Sequence, residues 1–166
     1  MLVADGLTRE QFTLLWRDAM IASPDAVERA RLVLELGRCT IRESEGLDPM
    51  MIALSERREP PFVVVPLPEV PTEEHPAVRE AARERLGELA ASEVYVLVLL
   101  AANISGGHKA RLLVSWGESL SGEEVVWMQP IRWVDGVREE AAVVRAPLAE
   151  HTEISKRCRG LLQPAN

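Results

Sequence analysis

One stretch of the chain gathers residue types that could do chemistry: Asn103, Ile104, Ser105, Gly106, Gly107, His108 and Lys109, with Arg111 two positions on. Two adjacent glycines let a backbone approach a ligand closely, and their N–H groups can cradle an anion. His108 could move a proton, and Lys109 or Arg111 could hold a phosphate or carboxylate. The candidate ligand-binding set is therefore Ser105, Gly106, Gly107, His108, Lys109 and Arg111. The spacing fits neither GxxxxGK[ST] nor GxGxxG. A glycine pair between two strands also has a plainer meaning, a hairpin turn, and that is the preferred reading.

The remaining chemistry is sparse. His75, His108 and His151 are the three histidines. None sits in an HxH or HExxH spacing, so no metal site is expected. There is no GxSxG elbow and no SxxK. Cys39 and Cys158 lie far apart and are expected as two reduced, structural thiols. Carboxylate pairs such as Glu73-Glu74, Glu123-Glu124 and Glu139-Glu140 are sequence neighbours, which point to opposite faces on a strand. They read as solvated charges. No catalytic residue and no cofactor is expected, which leans the reading away from an enzyme.

Charge narrows the partners. The 166 residues carry a net charge of -7 with 47% hydrophobic residues. The densest basic run, Lys156-Arg157-Cys158-Arg159, has no aromatic beside it. No nucleic acid is expected as a partner, because phosphate binding demands a basic footprint. The longest apolar run, Val94 to Ala102, is less than half of the ~20 residues that a spanning helix needs, so no membrane is expected. The N-terminus lacks a basic segment ahead of an apolar stretch, which predicts a cytoplasmic protein. Seventeen of the nineteen basic residues are arginine, as a GC-rich bacterial genome would give.

Hydrophobic spacing supplies the elements that must position such residues. Thr8 with Gln11 makes a capping box, and Leu7 with Phe12 a hydrophobic staple. Phe12, Leu15, Trp16 and Ala19 then trace one helical stripe. Ser23 as cap and Pro24 at the first position start a second helix, with Gly37 as its stop. Residues 1–38 thus read as a helical pair. Residues 50–56 and 62–66 read as a hairpin around Pro60-Pro61, in preference to a short helix at 49–57. Six of the eleven prolines fall in residues 60–76 and read as an extended connector rather than a PxxP ligand. A central helix spans about 76–91, with Val78, Ala82, Leu86 and Leu89 inward.

Val94 to Leu100 is apolar without alternation, so it belongs at the centre of a sheet covered on both faces, with Val96 and Val98 buried. Residues 112–116 make a further strand. A long hairpin spans 123–145 and turns at Asp135-Gly136. Its register sets Arg132 opposite Glu139 and Trp133 opposite Arg138. Pro130 has no N–H, so its nitrogen must face a free edge or a bulge. A short helix over 152–160 would bury Ile154, Cys158 and Leu161.

The fold expected is α+β: an N-terminal helical pair, a central helix and a mostly antiparallel sheet of about four to five strands. Residues 1–166 read as one domain, with 1–38 the helical pair, 49–146 the α/β core and 147–166 a C-terminal segment. The base of the long hairpin is apolar on both faces, and a second covering layer over 125–131 is doubtful. Trp127, Ile131 and Trp133 are therefore the candidate interface of a homodimer or of a complex with a protein partner. The function expected is that of a non-catalytic domain acting through self-association or partner binding. The alternative is a protein or enzyme that takes a small anionic ligand at loop 103–111.

Overall fold

The computed structural model describes residues 6–43, 46–103, 109–146 and 153–162. Its order of elements is α1 (Arg9–Ala22), α2 (Ala26–Glu43), β1 (Met50–Leu54), β2 (Phe62–Pro66), α3 (His75–Glu88), β3 (Glu93–Asn103), β4 (Lys109–Ser119), β5 (Glu124–Val134), β6 (Val137–Glu140), β7 (Val144–Arg145) and α4 (Glu153–Cys158). The fold is α+β. The strands form one seven-stranded sheet in the order β2-β1-β3-β4-β5-β6, with β7 also paired to β5. Every pairing is antiparallel.

The sheet exceeds the expected four to five strands for two reasons. The hairpin of β1 and β2 joins the sheet edge through β1 and β3. The return limb of the long hairpin, expected as one strand over 137–145, splits into β6 and β7. The split has a chemical cause. Ile131 pairs with Glu140 and Met128 with Val144, so Gln129 and Pro130 oppose the three residues 141–143. The Pro130 carbonyl accepts the Ala141 N–H from that side, and the proline nitrogen faces the same gap. The bulge thus lies where a residue without an N–H interrupts the ladder.

Helices cover both faces of the sheet. On one face α1 and α2 enclose Phe12, Trp16, Val33, Leu34, Ile52, Tyr95, Leu97, Leu113 and Ile131. On the other, α3 and α4 cover Met51, Ala53, Val94, Val96, Val98, Val114, Trp116 and Val126. Odd-numbered residues of β3, β4 and β5 face α2, and even-numbered ones face α3 and α4. This parity explains why the run from Val94 is apolar without alternation: both of its faces are covered.

The start of α1 follows its sequence signals. Thr8 Oγ1 accepts the Gln11 N–H at 3.2 Å, and Gln11 Oε1 accepts the Thr8 N–H at 3.0 Å. The start of α2 differs from expectation. Asp25, not Ser23, caps it, because Asp25 Oδ1 accepts the Glu28 N–H at 2.8 Å. Gly37 does not stop α2, which runs six residues further. It lies where the helix presses hardest on the sheet: a Cβ there would stand 2.9 Å from a methyl of Leu113 and 3.0 Å from one of Leu97. Three side chains from other elements donate to carbonyls along α2. Trp16 Nε1 reaches Leu32 O, Ser115 Oγ reaches Ala30 O and Trp127 Nε1 reaches Val27 O, at 2.7–3.0 Å. Among the described residues, no helix is long and apolar enough to cross a membrane.

Candidate functional site

The proline connector after β2 delivers the chain to a single 3₁₀ turn at Thr72–Glu74, and Pro76 then opens α3. Proline suits that position, because its missing N–H would have no helical partner there. The C-terminal half of α3 is seated on the sheet through Ala82, Leu86 and Leu89. Its end closes by the Ala91 N–H donating to Leu86 O, with Ala90 left-handed at φ 52°. Val78, one turn before Ala82, is only half-buried. Small residues at the start of the inner stripe therefore leave space between α3 and the strands.

That space is a cavity of about 260 Å³. The sheet supplies Met51, Val96, Val98 and Leu100, α3 supplies Val78 and Ala82, the connector supplies Leu67 and Val70, and the α4 region supplies Ile154, Cys158 and Leu161. The walls are aliphatic. The polar contributors are His75, Arg79, Arg157 and Glu69. A second cavity of about 320 Å³ lies on the other side of the N-terminal half of α3, and Met51, Leu67, Pro68, Val78 and Ala82 form walls of both.

Polar contacts hold the α4 wall in place. Arg79 donates to the carbonyls of Arg157 and Arg159, which end the helix. Buried Glu118 accepts the N–H groups of Gly160 at 2.9 Å and Leu162 at 3.1 Å. Arg159 Nε meets Glu124 Oε2 at 2.7 Å. Burial works to raise the Glu124 carboxyl, but hydrogen bonds from Arg159 and Ser155 outweigh it and hold it below its ordinary value. Burial pushes the Cys158 thiol up to about 12, outweighing the nearby Arg79 and Arg157, so it stays protonated at neutral pH and is a poor nucleophile.

The residues singled out in the sequence lie elsewhere. Ser105, Gly106, Gly107 and His108 fall outside the described residues, as does His151. Lys109 begins β4 opposite Asn103, so the segment between them joins two adjacent antiparallel strands. Arg111 pairs with Ala101 and Ile131 on the parity that faces α2, across the sheet from the cavity. Arg111 and the cavity thus lie on opposite faces of the sheet.

Trp127, Ile131 and Trp133 share one face of β5, as the alternation required. That face is not left open. Ile131 is 1% exposed and belongs to the core beneath α2. Trp127 is half-buried, bonded to Val27 O, with the Arg31 guanidinium 5.9 Å from its ring centre. Trp133 packs partly against the same core. On the opposite face, Val126 is buried in the core that holds Ala146 and α4. The expectation that 125–131 lacks a second covering layer is therefore corrected: α2, through Val27 and Arg31 on one face, and the docked C-terminal segment on the other supply it.

Sequence reasoning named Val78, Ala82, Ile154, Cys158 and Leu161 as inward-facing but not as cavity walls. The available signal was the small side chain of Ala82 between Val78 and Leu86, next to a proline-rich connector. Cys39 lies against one core and Cys158 in the other, and they form no disulfide. Among the described residues, no three His, Cys, Asp or Glu side chains gather as a metal site. Compared with known protein families, curated proteins and solved structures, the chain matches none.

Proposed function

We propose that this chain is a non-catalytic binding protein and that a small apolar ligand occupies the cavity between α3, α4 and the sheet. The observation that carries this reading is the composition of the cavity: aliphatic walls from four separate parts of the chain, with polar groups confined to a few side chains. Ligand sites are typically concave, mostly apolar and furnished with a few convergent polar groups. The chemistry at hand favours binding over catalysis, because the one thiol in the wall is protonated and most of the wall is aliphatic.

A neutral fluorescent probe, N-phenyl-1-naphthylamine, tests the reading. It should brighten on the native protein and be displaced by alkanes or alkanols. Val78→Trp should fill the cavity and abolish the signal while leaving the circular dichroism unchanged. Probe binding that is indifferent to Val78→Trp would place the ligand elsewhere.

Self-association is a second reading, and one observation favours it. Leu14, Leu15 and Ile21 stand exposed on the outer side of α1, Leu14 by 61% and Ile21 by 54%. Large aliphatic side chains exposed together are an interface composition. A homodimer through α1 should give about twice the chain mass in light scattering at micromolar concentration, and Leu14→Glu with Ile21→Glu should return it to monomer. A native protein that is monomeric at that concentration would end this second reading.

A further inference from the structure

We propose that the ligand of this cavity is a flexible-chain carboxylate, an alkyl tail with an anionic head; this inference rests on the cavity being the binding site. The head is argued from charge. Arg79 and Arg157 contribute to the lining against a single carboxylate, Glu69, in a chain whose net charge is -7. A local excess of cations in an acidic protein concentrates anions there and disfavours cationic ligands. Arg79 is fixed in place by its bonds to the Arg157 and Arg159 carbonyls, so its charge is held beside the cavity at no further ordering cost.

The tail is argued from shape. The 260 Å³ cavity and its 320 Å³ neighbour have walls in common around the N-terminal half of α3. A rigid ring system would fill one of them. A linear chain can bend around Val78 and Ala82 and bury methylenes in both. The head then lies towards Arg157 and the tail runs beneath α3 towards the β2 edge.

Decanoate, decanol and decylamine, measured by displacement of the neutral probe at pH 7, separate the possibilities. Decanoate should bind about five- to tenfold more tightly than decanol, with decylamine weakest, since tenfold corresponds to about 1.4 kcal/mol, within reach of two partly solvated cations. Arg157→Gln and 0.5 M salt should each shrink the gap between decanoate and decanol without moving decanol itself. Equal binding of decanoate and decanol would overturn the carboxylate head while leaving the apolar cavity as the site. A native protein that binds the probe and decanol but gains nothing on lengthening from hexanol to decanol would overturn the extended tail. Failure of the probe and all three ligands to bind would overturn the cavity reading itself.

Discussion

Gly117 and Tyr95 face each other across β4 and β3 with no room for a methyl group between them: a Cβ on Gly117 would stand 2.7 Å from the phenol ring. The ring cannot swing aside, because it is fully buried and its hydroxyl donates to Glu93. Gly117→Ala should therefore lower stability by about 1–3 kcal/mol through overpacking, read as a lower urea midpoint. On a Tyr95→Leu background the same change should cost much less. Equal costs in both backgrounds would contradict the contact.

The start of α2 separates two neighbouring polar residues. Asp25→Ala should cost about 1 kcal/mol, since it removes the acceptor of the Glu28 N–H. Ser23→Ala should change stability by less than about 0.5 kcal/mol, because its hydroxyl makes a long bond to Asp25 O at 3.3 Å and holds no helical N–H among the described residues. Thermal unfolding of the two variants checks this, and a larger loss from Ser23→Ala would restore the cap to Ser23.

Two Arg–Glu pairs of similar length should differ in value. Arg29 grips Glu93 with two N–H groups at 2.6 and 2.7 Å, and their side chains are 13% and 15% exposed. Burial alone would lower the Arg29 guanidinium, but hydrogen bonds with Glu93 and Tyr95 raise it on balance. Arg132 and Glu139 meet at 2.8 Å with about half of each side chain exposed. Glu93→Ala should cost about 2–3 kcal/mol, below the range for a fully buried pair. Glu139→Ala should cost less than about 1 kcal/mol. Denaturant titration of both variants provides the comparison.

The C-terminal segment should loosen in acid. The folded Glu124 carboxyl lies below its ordinary value of 4.5, so its contribution to stability is full above that pH and is lost as the pH falls below it. Arg159 and Ser155 face this carboxylate, and Glu118 binds the same segment through Gly160 and Leu162. Hydrogen exchange over 153–162 should therefore speed up below about pH 4.5 relative to the strands. Glu124→Gln should make that acceleration smaller, and an unchanged profile would remove Glu124 from the role.

The elements legible in the sequence were those whose cause is local. The capping box at Thr8 and Gln11, the turn at Asp135 and Gly136, and the apolar run from Val94 each involve residues a few positions apart, and each took the expected form. Arg132 pairs with Glu139 as the turn dictated. Even the break in the long hairpin follows from a single missing N–H at Pro130. Val96 and Val98 are buried because a strand apolar on both sides is stable only between two covered faces.

What the sequence by itself determined, then, was the α+β class, the order of the elements and most of the inward stripes of its helices, because backbone hydrogen bonding and hydrophobic periodicity act over a few residues; in α1 the expected Leu15 is exposed and Met20 is buried in its place. The tertiary structure decided what each stripe meets. Gly37 has the local look of a helix stop, yet its missing side chain answers to Leu97 and Leu113, more than fifty positions away. Trp127 and Ile131 look like an open patch until α2 lies across them. The cavity is a property of no segment: Val78, Val98 and Ile154 come from separate elements and enclose space only after α3 and α4 have settled on the sheet. Packing between distant elements fixes such gaps, because the volume left over depends on how whole faces fit together and not on any residue's immediate neighbours.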